Sequence, residues 1–278
     1  MRGFLRLGRV FLARYRRALL VAGGSALACV IAVAFVLALW GDRITMAMWN
    51  NFHVLPKVVT YFNPDHAGLL VSIGYYKFNT FGRSNYDLDE AERYLYRALE
   101  LDPMVPTAWH QLARIDFLRG NLGAALLKEN RQLELHGDSF MPAYYIRGLV
   151  YAFGEQYEKA ERDFLRYLEH DPHSWAAVND LAWVHFEQGE YAQVLEYAER
   201  GLAAAPENPW LLMMQGAALI NLDRKDEARA PLERALAEAR ALTREDWIIA
   251  YPGNNPAIAE QGLGEMLAAI EANLALVD

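Results

Sequence analysis

Runs of alanine and leucine at helical spacing alternate along the chain with short polar breaks, and the breaks return at a fixed interval. Three of these runs end at a proline, namely Pro103, Pro172 and Pro206, and the last two prolines lie 34 residues apart. A period of that length is typical of stacked helix pairs, because one pair can bury its apolar face only against its neighbours. The pattern therefore predicts an all-α solenoid.

The clearest repeat covers residues 175–208. Leu181 and Ala182 lie in its first helix, Gly189 lies at its turn and Pro206 closes it. Glycine suits the end of a helix because it adopts a left-handed backbone without a steric cost. The repeat resembles the tetratricopeptide repeat family, and the resemblance implies helix-turn-helix units whose first helices line a concave groove that binds other proteins.

Similar units precede and follow this one. The predicted solenoid spans 67–243, with four clear repeats at 106–139, 141–174, 175–208 and 209–242 after one degenerate repeat at 67–103. A loop is predicted at 244–255 and a capping helix at 256–278. Asparagine followed by proline at the start of that helix supplies an N-cap and a first-turn proline.

The N-terminal residues follow a different pattern. Residues 18–40 form a run of 23 residues without a charge. As a helix it is about 34 Å long, enough to cross a hydrocarbon core of about 30 Å. We therefore expect a transmembrane helix ahead of the solenoid, so that this part of the chain is also α-helical.

Flanking charges predict how this helix is oriented. Six arginines lie in residues 1–17, a basic N-terminus that is expected to stay in the cytoplasm. The arginine-rich start, with 22 Arg against five Lys overall, favours a bacterium. We expect a single-pass protein of the bacterial cytoplasmic (inner) membrane, with its solenoid periplasmic or otherwise extracytoplasmic.

Two alternatives stay open for this segment. A cleaved signal peptide is one, although its apolar core usually has only about 7–15 residues. Lipidation is the other, since residues 25–29 loosely resemble a lipoprotein box; otherwise Cys29 is a buried structural residue. Cys29 is the only cysteine, so no disulfide forms within the chain.

Residues 41–66 are predicted as a juxtamembrane helical linker. Aromatic side chains are frequent in and beside it, at Trp40, Trp49, Phe52 and Tyr61. Such residues either lie at a membrane interface or pack on the first repeat.

Charge and motif content exclude several function classes. The formal net charge is −8, but the six N-terminal arginines leave residues 41–278 with 21 basic and 35 acidic residues, a net −14. Such a domain repels nucleic acid. Phosphate-binding, nucleophile-elbow and zinc-protease motifs are missing from the sequence. A zinc site at His170 and His173 would need two more ligands to converge there, and the pattern favours a solvated turn between repeats. We predict no catalytic residue, metal, cofactor or small-molecule substrate.

The exposed stripe of each first helix is where the resemblance places a ligand. Steps of three to four residues along those helices give a mostly apolar and aromatic set of candidate partner-binding residues: His110, Arg114, Phe117, Tyr145, Leu149, Phe153, Asn179, Trp183, Phe186, Met213 and Ile220. The basic clamp with which cytosolic relatives hold a C-terminal carboxylate is not reproduced. An apolar groove suits an amphipathic helix or an extended apolar segment of a protein partner, unless these rings belong to the core.

Two polar residues interrupt the repeat pattern. Glu129 and Arg147 stand where other units have apolar residues, on helices that meet across a repeat boundary. We predict an ion pair between them, with Asp116 as a third member.

These observations predict a membrane-anchored interaction scaffold or assembly adaptor that is not an enzyme. The alternative is a regulatory or accessory subunit of a membrane biogenesis, secretion or polysaccharide system. The partner protein is not identified by the sequence.

Overall fold

A computed structural model describes residues 29, 33, 36, 39–53, 55–79, 86–251 and 253–277. The chain divides into one unit that ends at His66 and a second that runs from Ala67 to Asp278. The predicted N-terminus, 1–17, and most of the predicted span, 18–40, lie outside the described residues. Within those that are described, no helix has both the length and the apolar character needed to cross a membrane.

The first unit contains a helical hairpin. Helix α1 covers residues 39–52 and helix α2 covers Pro56–Phe62. The Asn63 amide donates to the Thr45 hydroxyl at 3.1 Å, and a Cβ on Gly41 would lie 2.5 Å from the ring of Phe62. Glycine at this position therefore lets the two helices approach closely.

The aromatic residues of this unit differ in exposure. Trp49 is buried, and its ring meets His53 edge-on at 5.3 Å. Trp40, Phe52 and Tyr61 are all exposed.

The second unit contains five consecutive helix pairs. They are α3 (Ala67–Phe78) with α4 (Leu88–Leu101), α5 (Ala108–Leu118) with α6 (Leu122–His136), α7 (Pro142–Phe153) with α8 (Tyr157–His170), α9 (Trp175–Glu187) with α10 (Tyr191–Ala204), and α11 (Pro209–Asn221) with α12 (Lys225–Ala241). Helix α13 (Arg244–Ala250), a 3-10 turn (Pro256–Ile258) and α14 (Ala259–Ala275) follow.

A buried small residue recurs near the start of each second helix. The five positions are 34 or 35 residues apart and are 0% exposed: Ala91, Ala125, Ala160, Val194 and Ala228. A short side chain lets the two helices of a pair approach, so the sequence period becomes a structural period. At the turn before α10, Gly189 has φ of +74°, the left-handed conformation predicted from the sequence.

Residues 244–250, predicted as loop, form α13. Thr243 and Asp246 make a capping box, in which the Thr243 hydroxyl accepts from the Asp246 amide and the Asp246 carboxylate accepts from the Thr243 amide. Such a box supplies hydrogen-bond acceptors for backbone amides at the start of a helix, which have no acceptor within the helix. Trp247 and Ile248 then become buried in a small cluster with Ala259. The apolar cluster favours helix over loop.

The predicted ion pair between Glu129 and Arg147 is wrong. Arg147 is held by Asp163 on the facing helix of its own repeat, through Nε to Oδ2 at 2.6 Å and Nη2 to Oδ1 at 2.8 Å. Glu129 instead contacts His110 of its own repeat, and Asp116 pairs with Lys128. The ionisable partner of each residue lies within its own repeat because the two helices of a pair face each other along their length, and the bond that Arg147 makes across the repeat boundary goes to the neutral side chain of Asn130 at 2.9 Å.

Candidate functional site

The first helices of the repeats form one continuous layer. Neighbouring first helices pack on each other from α3 through α5, α7 and α9 to α11. The exposed stripes of α3, α5, α7 and α9 contribute to two adjoining cavities of about 400 and about 590 Å³. We call these two cavities together the concave groove.

Three aromatic rings from successive repeats run along the groove. The Phe117 and Phe153 centroids are 5.3 Å apart, and those of Phe153 and Trp183 are 5.2 Å apart. Phe153 is 57% exposed, although phenylalanine side chains in helices are normally buried in the core. An exposed ring between two partly covered ones offers a partner apolar surface.

Eight of the predicted binding residues line the cavities. The smaller cavity contains His110, Arg114, Phe117, Tyr145 and Leu149, and the larger one contains Phe117, Tyr145, Leu149, Phe153, Asn179 and Trp183. Phe186, Met213 and Ile220 line neither. They pack instead against the apolar clusters between helix pairs.

Several lining residues were missed by the sequence reasoning. They are chiefly Tyr75 of α3 and Asn79 just after it, Trp175 and Asp180 of α9, and Tyr251 and Asn254 after α13. One signal was available, because Asp180 is an acid on an apolar helix with alanine, tryptophan and valine three and four residues away. The residues after α13 gave no such signal, since their placement depends on long-range packing.

The chain after α13 folds back onto the groove. Tyr251 lines both cavities, and its ring lies 4.7 Å from that of Trp247. The Tyr86 hydroxyl donates to the Gly253 carbonyl at 3.0 Å, which joins this segment to the first helix pair across 167 residues of chain. We call Tyr251, Gly253 and Asn254 the C-terminal segment.

Arg114 lies at the contact between the C-terminal segment and the first pairs. Its guanidinium donates to the side-chain oxygens of Gln111 at 3.0 Å and Asn79 at 2.7 Å, and lies 5.1 Å from the ring centroid of Phe78. These contacts fix the long side chain along the groove floor. Burial has the largest effect on the pKa of Arg114 and lowers it, whereas nearby groups raise it and so partly oppose this shift.

His110 and Glu129 form a buried hydrogen-bonded pair. The His110 Nδ1 lies 2.8 Å from Glu129 Oε1, and Glu129 is 0% exposed. Burial lowers the pKa of His110 well below 6.5, and burial also raises the pKa of Glu129 well above 4.5 despite the opposing Arg114. Both shifts favour the uncharged form of the group, and one hydrogen bond joins the carboxyl to the imidazole.

Glu129→Gln should raise the stability of the protein more at pH 8 than at pH 5. The folded pKa of Glu129 exceeds its unfolded value, so its contribution is complete below about pH 4.5 and is lost as the pH rises. Glutamine keeps a donor for His110 without ionising. We expect a gain of roughly 1–3 kcal/mol at pH 8, measured by urea unfolding.

The matched control is Glu134→Gln on the same helix, where the carboxylate is 64% exposed. Its effect should be small and equal at the two pH values. If Glu129→Gln also had the same effect at both, the carboxyl would not be held neutral in the fold.

Asp180 forms the acidic part of the larger cavity. The Tyr145 hydroxyl donates to its Oδ2 at 2.6 Å, and the Asn179 amide nitrogen lies 3.5 Å from its Oδ1. Burial raises the pKa of Asp180 to about 6, and these two hydrogen bonds oppose the rise. The carboxyl thus titrates close to neutral pH.

Comparison with known proteins identifies the fold. Residues 145–209 match the tetratricopeptide repeat family model. The repeat domain is a tetratricopeptide repeat solenoid. The match covers the third repeat and the fourth, which includes the unit from which the resemblance was first drawn.

Solved tetratricopeptide repeat structures share this architecture. A repeat protein from Parabacteroides merdae is 20% identical, with 89% of this chain and 96% of the other covered and a TM-score of 0.55. PilW, a widely conserved type IV pilus biogenesis factor, is 14% identical over 75% and 96%, with a TM-score of 0.61. YrrB, a TPR protein with an unusual peptide-binding site, is 17% identical over 70% and 95%, with a TM-score of 0.53. At these identities the likeness shows the fold alone.

Proposed function

We propose that this chain is a scaffold that holds a segment of a partner protein in its concave groove. The observation that carries the proposal is Phe153, an exposed ring between Phe117 and Trp183 at the mouth of the larger cavity. Aromatic anchors in a partly dry groove are typical of sites that bind a helix or an extended peptide. The peptide-binding site described for YrrB lies on the same fold, which supports this use of it.

The lining of the groove favours an extended segment as its occupant. The C-terminal segment contributes Tyr251 and Asn254 to both cavities and so narrows the space above the first helices. An extended peptide inserts alternate side chains into successive cavities, whereas a helix about 10 Å wide requires an open channel. We therefore expect apolar and polar side chains of one strand-like segment to occupy the two cavities.

The uncharged run at 18–40 supports a membrane location for this scaffold. With six arginines ahead of it, such a segment would anchor the chain in a bacterial inner membrane and leave the repeats outside the cytoplasm. Assembly of envelope structures is a fitting role for an adaptor in that place, and PilW, with the same fold, is a pilus biogenesis factor. No enzymatic role is proposed.

A photoreactive amino acid at position 153 should capture the partner in intact cells. The full-length protein carries the probe either there or, as a control, at Leu127, which is 73% exposed on a second helix. We expect one discrete adduct from position 153, recovered with the membrane fraction, and none from position 127. Equal capture from the two positions, or no capture from 153, would contradict groove binding; an adduct in the soluble fraction would contradict the anchor.

A further inference from the structure

Asp180 is a partly buried acid without a cation. Its two hydrogen-bonding neighbours, Tyr145 and Asn179, are neutral. The described residues place no Lys, Arg or His nitrogen in an ion pair with it, whereas Asp163 has Arg147 in the neighbouring repeat. Buried charges in proteins are as a rule paired, because an isolated one loses its hydration without compensation.

Aromatic rings surround the same cavity. Phe117, Phe153, Trp175, Trp183 and Tyr251 all line the space of about 590 Å³ that contains Asp180. The faces of such rings attract organic cations through their quadrupoles, most strongly where water is excluded. A carboxylate within aromatic walls combines the two kinds of group that bind an organic cation.

The overall negative charge of the domain also favours a cationic ligand. Residues 41–278 carry a formal net charge of −14. A field of that sign accelerates the approach of basic segments and repels acidic ones. The smaller cavity, by contrast, contains Arg114, so the two cavities differ in the charge that they favour.

We propose that the larger cavity takes an arginine or lysine side chain of the partner protein, with Asp180 as its counter-ion and the aromatic rings as its walls. This proposal rests on the proposed function, since it names one side chain of the segment that the groove binds. The cation replaces the hydration that Asp180 has lost. The carboxylate keeps the hydrogen bond from Tyr145, which fixes its orientation towards the cavity.

Ionisation of Asp180 gives the binding a characteristic pH dependence. The pKa of Asp180 is about 6 without a ligand, because burial raises it. A cation beside the carboxylate stabilises the ionised form, so binding weakens as the pH falls through 6. The titratable groups facing Asp180 are Tyr145 on α7 and Tyr251 after α13, and burial raises the pKa of both above its ordinary value. Both tyrosines therefore stay neutral between pH 5 and pH 7.5.

Capped heptapeptides of alanine and leucine that differ only at the central residue test this proposal. That residue is arginine, lysine or citrulline, which has the shape of arginine without its charge, and binding to the full-length protein is measured calorimetrically. At pH 7.5 we expect the arginine and lysine peptides to bind at least ten times more tightly than the citrulline peptide. At pH 5 that preference should fall severalfold.

Asp180→Asn should abolish the preference while the protein still binds the citrulline peptide. Asparagine is isosteric and can still accept from Tyr145, so the fold is retained. The control is Glu196→Gln, an exposed acid on α10 whose replacement removes the same charge and should leave the preference intact. Trp183→Leu keeps the acid but removes a wall, and should weaken both cationic peptides severalfold.

Three results would overturn the proposal. They are an equal affinity of the wild-type protein for arginine and citrulline peptides, a preference that survives Asp180→Asn, and binding of free arginine amide as tight as that of the peptide, which would indicate a small cation as ligand. Capture from position 153 is independent of these outcomes. A discrete adduct there, without a cation preference, would leave the groove as a binding site and reject only the role of Asp180.

Discussion

Replacing Arg147 by leucine should destabilise the protein by about 2–4 kcal/mol, although leucine restores the residue type of the repeat pattern. The cause is Asp163, whose carboxylate is 9% exposed and loses both of its hydrogen bonds to the guanidinium. The value lies below the usual 3–5 kcal/mol for breaking a buried pair, since the Arg147 side chain is 20% exposed and water reaches it. Urea unfolding followed by circular dichroism measures the change.

The next repeat supplies the matched double variant. Leu181 and Tyr197 occupy there the positions that Arg147 and Asp163 occupy in the third repeat, each 34 residues later. Arg147→Leu combined with Asp163→Tyr should therefore recover most of the lost stability, because a packed apolar pair often equals a buried ion pair. As a control, Arg97→Ala removes an exposed pair with Glu100 and should cost less than about 1 kcal/mol.

A double variant as unstable as the single one would contradict this explanation. It would show that Arg147 acts mainly through its other contacts, namely the hydrogen bond to Asn130 at 2.9 Å and the rings of Tyr144 and Tyr151. Comparing the stability of the single and double variants thus separates the contribution of the ion pair from that of the surrounding contacts.

The repeats could be predicted from the sequence because the same packing problem recurs in each unit. Small residues such as Ala160 must lie between two helices, and a glycine such as Gly189 must end the first one, so spacing alone locates them. The stripe of the groove follows from the same register, and Phe117, Phe153 and Trp183 do line one surface. Because the same packing requirements recur in every unit, they produce a period that can be recognised in the sequence.

Polar partners were harder to predict because they depend on side-chain reach and not on period. Glu129 and Arg147 were correctly singled out as departures from the pattern, yet the ion-pair or carboxyl partner of each, His110 and Asp163 respectively, belongs to its own repeat. A helix pair brings several polar side chains within hydrogen-bonding distance, and spacing does not choose among them. The same applies to Asp180, whose lack of a cation becomes visible only when every neighbour is known.

The C-terminal segment was beyond prediction for a different reason. Its contact with the first helix pair joins Tyr86 to Gly253 across almost the whole repeat domain, and no local pattern specifies a contact of that range. The capping box of Thr243 and Asp246 was present in the sequence and would have predicted α13. That short helix directs the chain back over the groove, so a local signal has a long-range effect.

Gly253→Ala should release the C-terminal segment from the groove. Gly253 has φ of +96°, which side-chain-bearing residues rarely adopt, and a Cβ there would lie 2.8 Å from Arg114 Nη2. Arg114 is held by Gln111 and Asn79 and has little freedom to move away. Backbone strain of this kind costs about 1–3 kcal/mol, which corresponds to roughly 5- to 150-fold faster hydrogen exchange around Asn254.

Release of the segment should also weaken peptide binding, because Tyr251 is a wall of both cavities. We expect the arginine heptapeptide to lose about tenfold in affinity for Gly253→Ala, whereas global unfolding in urea changes little, since the core between the helix pairs does not involve Gly253. Gly264→Ala on α14 is the control: a Cβ there has no atom within 4 Å, so it should leave exchange and binding unchanged. If Gly253→Ala bound the peptide more tightly than the wild type, the C-terminal segment would compete with the partner for the groove instead of forming its wall.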